Sequence, residues 1–116
     1  MSLQEILGDL VASEPFERML LERARPILAR AEAGQDFVIA GVATALESPV
    51  LAVTAGPREA EALEDDVAAF LGDDRVAMLP AWEALPYEQI SPSPEVAARR
   101  ADALHRLRAA RGPCRA

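Results

Sequence analysis

The chain has 116 residues and a mass of 12.4 kDa, which is enough for one small domain with a core and too little for two domains. Hydrophobic residues make up 51% and charged residues 27%, a balance that fits a folded globular protein and argues against disorder. The formal net charge of −7 opposes binding to the phosphates of DNA or of anionic lipids, and no apolar run approaches the roughly 18–20 residues that a membrane helix needs.

Three residue types narrow the chemistry further. One cysteine, Cys114, cannot form an internal disulfide, and the N-terminus lacks the basic region of a secretory signal, so a cytoplasmic location is expected. One histidine and one cysteine leave little for a transition-metal site. All twelve basic residues are arginine, so the chain lacks the lysine that a phosphate-binding P-loop requires. We therefore predict no cofactor, no metal and no membrane contact for this chain.

A helical leader is predicted over residues 1–34. Ser2 and Glu5 form a capping box ahead of a first amphipathic helix. Ser13 can cap a second helix, whose apolar residues continue at helical spacing until Gly34, which is a good C-terminal stop.

Three short apolar segments are predicted as strands, at residues 37–42, 49–54 and 75–79, because they are rich in β-branched residues and bounded by turn signals. Between the second and third, Pro57 opens a helix and Gly72 ends it. Strands that alternate with helices predict an α/β fold, a layered and mostly parallel sheet of about three strands flanked by helices.

This α/β part is placed at residues 35–112, within one domain that covers residues 1–116 and ends in a tail at 113–116. Ser93 and Pro94 start the last helix. The first two predicted strands are joined by only about six residues, from Ala43 to Ser48, whereas a crossover with a full helix takes roughly ten or more. Either that link is a tight single turn, or the strands have other limits than 37–42 and 49–54.

Several residue groups suggest chemistry, and each has a simpler structural explanation. The predicted turn at residues 40–45 occupies the position of a phosphate loop, but it has one glycine and no lysine. The acidic cluster from Glu59 to Asp66 fits the solvated start of a helix, where the helix dipole favours negative charge. His105 has no partner beyond Asp102 and is a poor candidate for catalysis. The arginine-rich last helix could contact protein or nucleic acid, or be paired within the fold.

The proline-rich loop at residues 80–94 is the segment whose composition differs most from that of an ordinary connecting loop. It carries the only tryptophan, Trp82, and the only tyrosine, Tyr87, which are large anchors with a polar tip. Two interpretations stay open: a rigid lid over the strand ends, or a recognition surface for a protein or nucleic-acid partner.

A dozen residues at fixed spacing form a motif in this loop and the following helix. The motif residues that we take as a candidate interaction surface are Pro80, Trp82, Glu83, Leu85, Pro86, Tyr87, Ser91, Pro92, Glu95 and Arg100, and Glu88 and Leu104 complete the motif. With this motif, residues 49–107 resemble the N-terminal UvrB-like module of the bacterial transcription-repair coupling factors, the Mfd family.

The resemblance implies a degenerate P-loop-type subdomain that has lost its ATP-binding motif. Full-length members of the family are ATP-dependent translocases on double-stranded DNA, which use ATP and magnesium, release RNA polymerase stalled at lesions and recruit UvrA for nucleotide excision repair. The domains that carry those activities are expected to lie beyond these residues in the family, so the subdomain is expected to be an incomplete fragment, natural, truncated or frameshifted.

The leading hypothesis is therefore a non-catalytic scaffold that packs against the remaining domains of the same protein. The alternatives are a small stand-alone nucleotide-binding α/β protein that uses the 40–45 turn, and a DNA-contacting module that uses the basic last helix.

Overall fold

The regular structure of the protein is helical. The computed structural model describes residues 2–22, 33–46, 48–82, 87, 91 and 93–110. Within these ranges a single 3₁₀ turn at Asp73–Arg75 accompanies five α-helices, which are α1 (Leu3–Val11), α2 (Glu14–Leu21), α3 (Gln35–Leu46), α4 (Pro57–Leu71) and α5 (Pro94–Ala110).

The predicted α/β fold with its mostly parallel sheet is wrong, because no described residue lies in a strand. The first predicted strand, 37–42, lies inside α3. The second, 49–54, is a segment without regular structure between α3 and α4, and the third, 75–79, begins at the end of the 3₁₀ turn and then continues without regular structure.

The failure of the first strand has a physical reason. The apolar run does not stop at residue 42 but continues through Leu46, and Asp36 is the only charged residue of the twelve in α3. Periodicity cannot separate a buried strand from a helix that is apolar on all sides, and length then decides for the helix. The shortness of the link at 43–48 was the signal in the sequence that the strand limits were wrong, because most of this link belongs to α3. The predicted turn at 40–45 is wrong for the same reason, because these residues lie inside α3.

Local capping at the N-terminus is confirmed. The Ser2 hydroxyl accepts a hydrogen bond from the backbone N–H of Glu5 at 3.2 Å, and the Glu5 carboxylate accepts one from the Ser2 N–H at 2.6 Å. Ser13 occupies the capping position of α2, but its hydroxyl donates to the carbonyl of Leu10 at 2.7 Å instead of capping the helix. The predicted continuation of this helix to Gly34 is interrupted, because α2 ends at Leu21 with Glu22 as its C-cap, and the rest of the predicted stretch, at 23–32, lies outside the described residues.

The core forms where α3 crosses α1 and α4. Gly41 is buried in α3, and a Cβ built on it would lie 2.9 Å from Cδ2 of Leu10 and 3.1 Å from Cζ of Phe16. A side chain at position 41 would therefore force the Leu10 side chain and the Phe16 ring to shift by a few tenths of an ångström. On the α4 side, the rings of Phe37 and Phe70 pack with their centroids 5.5 Å apart. The buried hydrophobic residues among those described are Leu7, Phe16, Ala40 and Val67.

The two later helices begin where they were predicted to begin, and α4 also ends as predicted. Pro57 opens α4, and Gly72 ends it with a φ of +90°, a conformation that strains residues with a Cβ. Pro94 opens α5, and the Ser93 hydroxyl accepts a hydrogen bond from the N–H of Val96 at 3.2 Å. No residue of α5 is buried, and no Cα of α5 lies within 8 Å of a Cα in another helix. The last helix therefore stands apart from the core.

Candidate interaction site

Three of the motif residues come together where the proline-rich loop meets α5. The guanidinium carbon of Arg100 lies 4.4 Å from the centroid of the Trp82 ring, a cation–π arrangement. The same guanidinium donates a hydrogen bond to the backbone carbonyl of Pro80. Arg100 is half-buried, whereas Trp82 remains 53% exposed. We call Pro80, Trp82 and Arg100 the arginine clamp.

The clamp depends on where α5 begins. The Ser93 cap and Pro94 fix the first turn, and Arg100 then falls on the same helix face as Val96, Ala103 and Arg106. These four residues, spaced three or four apart, are the half-buried ones in α5. This face is turned toward the segment that links α4 to the loop.

A second arginine on that face attaches α5 to the end of α4. Nη2 of Arg106 donates to the backbone carbonyls of Asp73 at 3.0 Å and Asp74 at 2.6 Å. Nη1 of the same guanidinium lies 4.0 Å from the carboxylate of Asp102, whose side chain is mostly exposed. Arg106 was not among the predicted site residues. The signal that could have found it was the pair Arg100 and Arg106 around Ala103, which places two cations on one helix face.

An open cleft of about 310 Å³ lies between α4, residues 77–78 and α5. Its charged lining is balanced, with Glu64 and Asp102 facing Arg99 and Arg106. The Glu64 carboxylate is already engaged, because it accepts a hydrogen bond from the backbone N–H of Met78 at 3.0 Å. The Glu64 carboxylate therefore joins one wall of the cleft, α4, to another, the segment at residues 77–78.

The other predicted site residues are not gathered in the clamp. Tyr87 is 80% exposed, Ser91 is exposed, and Glu95 is exposed in the first turn of α5, where the helix dipole favours it. Glu83, Leu85, Pro86 and Pro92 lie outside the described residues. The lid hypothesis loses its basis, since the part of the chain that the structure describes has no strand ends to cover.

The remaining candidates for chemistry can now be placed. The 40–45 segment is helical, so its backbone amides are committed to α3 and do not form a phosphate loop. No group of three or more potential metal ligands occurs among the described side chains. Arg99 and Arg108 of the basic helix are exposed, but Arg100 and Arg106 are bound to backbone carbonyls. Half of the described arginines in α5 are thus directed at the chain itself.

Comparison with known proteins gives one consistent result. The chain is 39% identical over 105 residues to the transcription-repair-coupling factors of Mycobacterium bovis and Mycobacterium tuberculosis, an alignment that covers 87% of this chain. It is 36% identical over 81 residues to the factor of Myxococcus xanthus, which covers 65% of this chain. No protein-family model and no solved structure matches the chain.

The alignments cover most of this chain but only a small part of each relative. The chain spans 8% of the length of the mycobacterial relatives and 7% of that of the myxobacterial one. No helix in the described ranges is long and apolar enough to cross a membrane.

The alignments with the three relatives show that the chain is homologous to the N-terminal region of the transcription-repair-coupling factors.

Proposed function

We propose that the chain is a non-catalytic scaffold of a transcription-repair coupling factor, and that the arginine clamp fixes the position of α5 relative to the rest of the domain. The observation that supports this role is the double use of the Arg100 guanidinium, which stacks on Trp82 while it donates to the Pro80 carbonyl. Lysine would be a poorer replacement, because the planar guanidinium can stack on the indole ring while one of its N–H groups donates to the carbonyl. A helix with no buried residue depends on such anchors for its position.

The scaffold presents an exposed surface for protein contacts. Trp82 and Tyr87 are 53% and 80% exposed, and aromatic and arginine side chains dominate the binding energy of protein interfaces. We propose that this surface packs against another domain of the same factor. For the whole protein, the family resemblance supports ATP-dependent translocation on double-stranded DNA, release of stalled RNA polymerase and recruitment of UvrA. The UvrB-like character and the degenerate nucleotide site belong to the same proposal.

A chimera tests the scaffold role directly. The 116 residues replace the aligned stretch of the Mycobacterium tuberculosis factor, and the recovery of strand-specific repair is measured in cells that lack their own factor. The chimera should restore repair, and Trp82→Ala or Arg100→Lys should reduce it. Arg99→Ala is the matched control, because Arg99 is exposed and adjacent in sequence. Equal repair by the clamp variants and the control would refute the clamp's role.

Two binding measurements on the isolated chain test the alternatives. Calorimetry with ATP and Mg²⁺ should show no binding tighter than about 10 μM, near −7 kcal/mol. Tighter binding would overturn the scaffold proposal in favour of a nucleotide-binding protein. Binding to duplex DNA that weakens steeply as salt increases would instead favour a nucleic-acid contact through α5.

A further inference from the structure

We draw no further inference here: the strongest candidate, the face of α5 that carries the exposed side chains of Leu104 and Leu107, is an apolar face for which nothing in the described part of the chain shows what covers it.

Discussion

Replacing Gly41 with alanine tests the closest helix contact in the core. In a helix interior, alanine alone stabilises by about 1 kcal/mol relative to glycine. Here the added Cβ would lie 2.9 Å from the Leu10 side chain and 3.1 Å from the Phe16 ring, and Phe16 is only 6% exposed. Overpacking of this kind costs about 1–3 kcal/mol, so the net expectation is a loss of about 1 kcal/mol in the free energy of unfolding.

A second glycine provides the matched control. Gly8 lies inside α1, and a Cβ built on it would meet nothing within 4 Å. Gly8→Ala should therefore raise the free energy of unfolding by about 0.5–1 kcal/mol. Urea unfolding followed by helical circular dichroism measures both variants. If Gly41→Ala stabilised the protein as much as Gly8→Ala, the close approach of α1 and α2 to α3 would be refuted.

Three further results are expected from other parts of the chain. Ser2→Ala removes the hydroxyl that accepts the Glu5 N–H in the capping box and should lower the free energy of unfolding by about 1 kcal/mol in urea titrations. No change would mean that the first turn frays in solution. The amides of α5 should exchange with solvent much faster than those of α3, because α5 has no buried residue; equal protection in hydrogen exchange would contradict its separation from the core. Glu64→Gln weakens the acceptor for the Met78 N–H and should cost about 1 kcal/mol in thermal or urea unfolding, while the exposed Glu61→Gln should be neutral.

Local signals in the sequence predicted the starts of α1, α4 and α5 and the end of α4, but not the end of α2 or either end of α3. The capping box at Ser2, the proline and glycine that bound α4, and the serine–proline pair before α5 each act within one turn of backbone, so neighbours in sequence suffice to read them. For apolar runs, the neighbours in sequence were not sufficient to predict the structure. Residues 37–42 taken alone fit a strand or a helix equally well, and the helix is favoured only when the apolar run is followed to Leu46.

The candidate site was predicted from the family motif and not from geometry. The motif named Pro80, Trp82 and Arg100 together, but Arg100 is twenty residues from the carbonyl that it contacts. Nothing in the sequence specifies such a distant pairing. The segment at 49–54 shows the opposite error, since its β-branched residues favour a strand while the described chain supplies no neighbouring backbone to pair with it.

Because α5 is attached through backbone carbonyls, the arginines that donate the hydrogen bonds should tolerate substitution less than the residues that accept them. Arg100 and Arg106 reach the oxygens of residues 80, 73 and 74, which every amino acid possesses, so side chains at 73 and 74 are free to vary without loss of the contact. What must be kept there is the path of the chain, and Gly72 with its positive φ sets that path. In a saturation scan that measures the position of α5, substitutions of both arginines and of Gly72 should therefore displace the helix. Substitutions of Asp73 and Asp74 should leave it in place.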